Sequence, residues 1–170
     1  MTFAGKTVVI TGATRGIGKA IGLRLAREGA TIVIAAKSVE ENPKLGGTIY
    51  TAATEMEAAG GKALAIPCDI RFEEQIQQVV DKAVATFGGI DILINNAGVS
   101  AWSGVEETNF KVYQDVMELN FYSVVKLTQS ILPSMISRKS GQVVSVSSLL
   151  GKFAIVKLYG PTANLSLTYK

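Results

Sequence analysis

Lys6-Thr7-Val8-Val9-Ile10-Thr11-Gly12-Ala13-Thr14-Arg15-Gly16-Ile17-Gly18 is the stretch that decides how the chain is read. Lys6 to Thr11 has the β-branched density of a strand, and Ile17, Ile21 and Leu25 then recur on one face of a helix that Gly29 closes. Between them lies a glycine turn. Glycine lets backbone come close to a pyrophosphate, and a helix N-terminus presents partly positive N–H groups to it, so a strand, a glycine turn and a helix in this order suit a dinucleotide. A turn that only packs helix on strand is the plainer alternative.

Outward from this unit the same alternation continues. Thr31 to Ala36 reads as strand two. A longer connection through Asn42, Pro43, Gly46 and Gly47 leads to a helix carrying Ile49, Ala52, Ala53 and Met56, stopped by Gly60 and Gly61. Strand three is Ala63 to Cys68. Phe72, Ile76, Val79, Val80, Ala83, Val84 and Phe87 recur at helical spacing up to Gly88. Ile90 to Ile94 is strand four, Asn109 to Ile136 a long helical region with Pro133 as a kink near its end, and Gln142 to Ser147 strand five. Strands joined by helical crossovers must be parallel, which predicts a doubly wound α/β sheet. The pattern supports one domain over residues 1–155, and 156–170 reads as an irregular tail.

Composition narrows the function classes. The 170 residues are 48% hydrophobic, enough for a packed core, and the net charge of +3 is scattered with no basic block to track phosphates, which argues against nucleic acid. A single cysteine, Cys68, allows no intrachain disulfide and fits a reducing compartment. Histidine is absent, which removes histidine bases, histidine triads and the commonest metal ligand, so no metal site is expected. No apolar run reaches the roughly 18 residues a membrane span needs, and strand one starts too early for a signal peptide. A soluble, intracellular, cytoplasmic chain is expected.

The end of strand two bears on the choice of cofactor. An acid there would bond the ribose 2′-hydroxyl of NAD, whereas a base would neutralise a 2′-phosphate. Ala36 and Lys37 stand at this place, and Arg15 in the glycine turn adds a second cation. NADP(H) is therefore favoured, with NAD as the open alternative and ordinary surface cations as the plain reading.

Thr11 to Gly18 as T-G-A-T-R-G-I-G, Cys68-Asp69-Ile70 after strand three and Asn95-Asn96-Ala97-Gly98 after strand four together resemble the short-chain dehydrogenase/reductase family, over about Lys6 to Gly151. The insert Pro43-Lys44-Leu45-Gly46-Gly47-Thr48-Ile49-Tyr50 looks like hydroxysteroid-dehydrogenase-like members. The resemblance implies a Rossmann-like sheet of order 3-2-1-4-5, with the cofactor in the crevice between Gly12 and the Asn95–Gly98 turn. It implies cofactor contacts from Gly12, Thr14, Arg15, Gly16, Ile17, Gly18, Lys37, Asp69, Ile70, Asn96, Ala97 and Gly98. Asp69 would meet the adenine edge and Asn96 would steady the central strands. Asn120 would join the catalytic set; a turn carboxylate and a capping amide are the plain readings of Asp69 and Asn120.

Ser147-Ser148-Leu149-Leu150-Gly151 resembles the family's Ser-x-x-Gly, which makes Ser148 the group that bonds the substrate oxygen. The family then places Tyr-x-x-x-Lys about thirteen residues on. That count ends at Pro161; Tyr159 is near, but Ala163 stands four residues after it, so the lysine is missing from its spacing. A tyrosine without such a lysine keeps a pKa of about 10 and is a poor base at neutral pH. Tyr122-Ser123-Val124-Val125-Lys126 does spell the motif, but ahead of the serine and inside the long helix, where a chance match is the plainer reading.

The expected activity is NADP(H)-dependent hydride transfer between a small-molecule carbonyl and a secondary alcohol. The alternative is a non-catalytic or truncated dinucleotide-binding protein acting through association. The family runs for about another third of its usual length beyond what matches here. Strand five would then be an edge, and the apolar face Val116, Leu119, Val124, Leu127 and Ile131 of the long helix would lack a cover. A homo-oligomer formed through Asn109 to Ile136 would supply it.

Overall fold

Val8 and Ile10 are buried on one face of a five-stranded parallel sheet and Val9 on the other, because side chains alternate along a strand. The computed structural model describes residues 2–101, 103, 104 and 106–148. Its strands are β1 (Thr7–Thr11), β2 (Thr31–Ala36), β3 (Lys62–Pro67), β4 (Ile92–Asn95) and β5 (Gln142–Ser145). They lie in the order β3-β2-β1-β4-β5 that the resemblance implies, every neighbouring pair parallel. All residues of β1, β2 and β4 are buried, which explains their near-continuous apolar spelling.

Helices cover both faces. On one, α1 (Gly16–Arg27) and α2 (Ile49–Ala58) bring Ala26, Ile49, Ala52 and Met56 against Val8, Ile10, Ile32 and Ile34. On the other, α3 (Glu73–Phe87) and α5 (Ser123–Ser137) bring Ile76, Val79, Leu127 and Ile131 against Val9, Val33 and Leu93. Each large aliphatic side chain so covered contributes roughly 1.5–3 kcal/mol relative to exposure. Gly88 ends α3 as anticipated, with φ at +82° and its N–H bonded to Val84 O at 2.8 Å.

Two expectations about the region Asn109 to Ile136 need correction. The long helical region is not continuous: α4 (Phe110–Met117) and α5 are separated by a π-helical turn, Glu118–Tyr122. Ser123 fixes that turn, since both its backbone N–H and its Oγ (2.6 Å) donate to Glu118 O and its side chain is fully buried. Pro133 sits within α5, which runs on to Ser137. The second correction concerns the apolar face. Val116, Leu127 and Ile131 are at most 3% exposed, and Leu119 and Val124 are half-buried; Leu119, Leu127 and Ile131 pack into the core that α3 and the sheet form. Phe121, Val125, Leu132 and Ile136 form the exposed stripe instead.

Strand four starts later than Ile90 because Asp91 serves another purpose. Its carboxylate accepts from Thr7 N (2.9 Å) and pairs with Lys6 (3.7 Å) and Arg138 (3.5 Å), while Arg138 also donates to Ile90 O (2.6 Å). This charged knot sits at the N-terminal ends of the strands. β5 ends at Ser145, short of Ser147, and all four of its residues are exposed. The expected tail, 156–170, lies outside the described residues. Among the described residues no helix is long and apolar enough to cross a membrane.

Burial and the neighbouring Asp69 push the Cys68 thiol up from 9.0 to about 11. An aromatic disulfide reagent at pH 8 is expected to leave the folded chain unlabelled and to label this one cysteine on unfolding in urea. Because the folded state holds the thiol proton more tightly, stability is expected to fall as pH rises from 9.0 to about 11.

Candidate dinucleotide site

At the C-terminal ends of β1 and β4 two turns are stitched together. Thr11 Oγ1 accepts from the backbone N–H groups of Asn96 and Ala97, each at 3.0 Å. Asn96 answers with its amide, donating Nδ2 to Thr11 O (3.0 Å) and Gly12 O (3.2 Å). Four backbone groups that a loop would otherwise leave to water are thereby satisfied. Asn96 thus steadies the central strands, and Thr11, which the sequence offered only as the first letter of the glycine motif, supplies the other half.

The glycines divide by purpose. Gly12 has φ at +68°, and a methyl group there would stand 3.1 Å from Ala97 Cα. At Gly18 a methyl would collide with Asn96 Nδ2 and lie 2.8 Å from Gly12 O. Both are needed so that the turn can lie against Asn96 and Ala97. Gly16 also has positive φ (+56°), but nothing lies within 4 Å of its missing side chain. Beside it Ile17 is 64% exposed, while Thr14 is buried.

α1 starts at Gly16 with no side-chain cap and no acid in its first turn. α2 and α4, by contrast, carry the side-chain caps Thr48 and Asn109, and α3 carries Glu73 and Glu74 in its first turn. The first N–H groups of α1 are therefore open to an anion, in the field of its own dipole. Arg15 precedes them, and its Nη2 donates to Ser38 Oγ at 2.6 Å while Nε is shielded without a partner. Lys37, at the end of β2, is exposed. Ser38 was not anticipated; its only signal in the sequence is adjacency to Lys37.

At the end of β3, Asp69 holds Arg71 through two oxygens, with Nε at 2.9 Å from Oδ1 and Nη2 at 2.5 Å from Oδ2. The Asp69 N–H donates to Gln75 Oε1 at 2.7 Å. The Arg71 hydrogen bonds, outweighing burial and aided by its charge and that of Lys37, hold the Asp69 carboxyl below its usual range. The Ile70 side chain is 4% exposed and belongs to the core.

Asn120 lies on the π-helical turn and clasps the loop after β4: Nδ2 donates to Val99 O (2.8 Å) and Oδ1 accepts from Val99 N (2.9 Å). A methyl at Gly98 would be 3.4 Å from Asn120 Oδ1, so the structure brings Asn120 to the Asn95–Gly98 turn. Ser148 is exposed just past β5; Tyr159 and Ala163 lie outside the described residues. In the chance motif, Lys126 Nζ is held by Glu118 (2.9 Å) and Glu73 (3.5 Å). Among the described residues no group of three or more His, Cys, Asp or Glu could hold a metal.

A doubly wound parallel sheet with a glycine turn, an uncapped helix and paired turns at its switch point defines a dinucleotide-binding class of α/β protein. Residues 6–161 match the family model described as short chain dehydrogenase, and the chain belongs to that family. Hydroxysteroid dehydrogenase-like protein 2 of Xenopus tropicalis is 50% identical over 144 residues, 85% of this chain and 34% of that protein. The Homo sapiens protein of the same name is 47% identical over the same length. The chain thus spans about a third of the length of these curated relatives. Among solved structures, one described as a dehydrogenase from Xanthomonas campestris superposes with a TM-score of 0.87 at 41% identity, covering 98% of this chain and 62% of that one. The NADH-dependent reductase A1-R′ complexed with NAD does so at 0.82 and 29% identity, covering 96% and 68%.

Thr11→Val keeps shape but removes the acceptor of two N–H groups, and is expected to cost about 2 kcal/mol in urea unfolding. Arg71→Leu is expected to cost roughly 1 kcal/mol at pH 7. Since the folded pKa of Asp69 is lowered, that contribution is present above its unfolded pKa and is lost as pH falls through the folded value. The gap between wild type and Arg71→Leu in urea midpoints is therefore expected to shrink as the pH is taken down through and below the ordinary aspartate range.

Proposed function

We propose that this chain is the NADP(H)-binding part of an oxidoreductase that interconverts a small-molecule carbonyl and a secondary alcohol. The observation that carries the reading is the uncapped start of α1, flanked by Arg15 and Lys37, behind a turn in which Gly12 and Gly18 admit no side chain. A pyrophosphate would rest on the α1 N–H groups, with Gly16 and Ile17 at its open side. The cation pair would take a 2′-phosphate, for which an NAD-selective acid is absent from the end of β2. Asp69, held deprotonated by Arg71, supplies a permanent acceptor for an adenine amino group, and the backbone of Ile70, Ala97 and Gly98 would line the crevice.

A bound nicotinamide would supply hydride transfer to or from the carbonyl carbon. Ser148 would donate a hydrogen bond to the substrate oxygen, and Tyr159 would exchange the proton with it. Asn120, clasped to Val99, keeps the floor of that cleft in place. A second reading, a dinucleotide-binding protein without turnover that acts by association, is favoured by Ala163 standing where the tyrosine's lysine belongs. The compartment proposed is the cytoplasm, for the chain as given.

Titration with NADPH, followed by nicotinamide fluorescence, is expected to saturate, with NADH binding about tenfold or more weakly. Gly16→Trp, which fills the open side of the turn, is expected to abolish both. A folded chain that binds neither dinucleotide overturns the proposal. Saturable binding without reduction of any aldehyde or ketone in a broad screen selects the second reading.

A further inference from the structure

Resting on the reading of the crevice as an NADP(H) site, we infer that the insert between β2 and α2, residues 38–48, acts as a specificity brace that fixes the direction of Arg15. The insert closes on itself: Ile49 N donates to Ser38 O at 2.9 Å, so its two ends are tied. Within it, Asn42 turns the chain back, with Oδ1 accepting from Lys44 N (2.9 Å) and its carbonyl from Leu45 N (3.0 Å) and Gly46 N (2.7 Å). Thr48 then hands the chain to α2 through a reciprocal cap with Thr51.

This tied loop touches the glycine turn at two points on either side of one peptide unit. Gly47 lies so close that a methyl there would stand 2.5 Å from Thr14 O, the carbonyl of the peptide leading into Arg15. Ser38 holds the far end of Arg15 through the 2.6 Å bond to Nη2. Backbone and guanidinium are thus set by one element, and a long flexible cation becomes a directed one. Arginine loses rotamers on being fixed, and the insert takes on that cost before ligand arrives. The neighbouring glycine supplies an internal control. Gly46 has the same left-handed conformation (φ +62° against +73°), but nothing lies within 4 Å of its missing methyl.

The test measures the ratio of NADH to NADPH dissociation constants for wild type, Gly46→Ala, Gly47→Ala, Ser38→Ala and Ser38→Thr, with thermal melting of each. Both glycine variants carry the same backbone strain, so they are expected to melt lower than wild type by similar amounts. Gly47→Ala and Ser38→Ala are expected to lower the preference for NADPH at least fivefold by weakening NADPH binding alone; Gly46→Ala and Ser38→Thr are expected to keep it. Should Gly47→Ala fail to fold, Ser38→Ala against Ser38→Thr decides. Unchanged ratios, or equal losses for both dinucleotides, overturn the brace while leaving the cofactor reading intact. Wild type binding neither dinucleotide overturns both.

Discussion

The structure depends on the reciprocal bonding of Thr11, at the end of β1, and Asn96, just past β4, two residues 85 apart in sequence whose strands are neighbours in the sheet. A parallel sheet has no hairpin to set the height of one strand against the next, so something at the strand ends must. Here a hydroxyl collects two N–H groups and an amide returns to two carbonyls. Once these turns are locked together, there is no volume left for a side chain at Gly12 or Gly18. The glycines that look like ligand-contacting residues in the sequence are therefore first a packing requirement of the switch point. Only Gly16, with open space before it, faces outward.

How much of this was legible in the sequence follows from the range of the interactions concerned. Strand and helix alternation is local and periodic, and it delivered the sheet order once parallel pairing and the resemblance were added. The π-helical turn was not legible, because spacing of four from Val116 and three to Ser123 puts Asn120 on one ordinary helical stripe. The turn instead leaves Asn120 exposed and bonded to Val99. The covered face of α5 was misread for a related reason: periodicity finds an apolar stripe but does not say which neighbour, α3 or a second molecule, lies over it. Ser38 and Arg71 were missed because their importance lies in partners, Arg15 and Asp69, that no spacing rule links to them.

Charge at the crevice is organised by pairing, not by number. Arg71 is committed to Asp69, and Lys126 to Glu118 and Glu73, so of the cations around the described part of the crevice Arg15 and Lys37 are the ones not bound to a carboxylate there. Membership of the short chain dehydrogenase family accounts for the glycine turn and the Asn95–Gly98 turn. It does not by itself account for an arginine tethered to a serine at the root of the 38–48 loop.

The knot around Asp91 divides the molecule in a way the fold diagram conceals. At the floor of the sheet, adhesion is ionic and half-exposed, through Lys6 and Arg138; at the roof, it is a set of neutral hydrogen bonds. Ions in solution screen the first kind of contact over about 10 Å at 0.1 M and leave the second nearly untouched. Salinity therefore weakens the grip of Asp91 at the floor of the sheet and spares the Thr11–Asn96 bonds that hold β1 and β4 together at its roof.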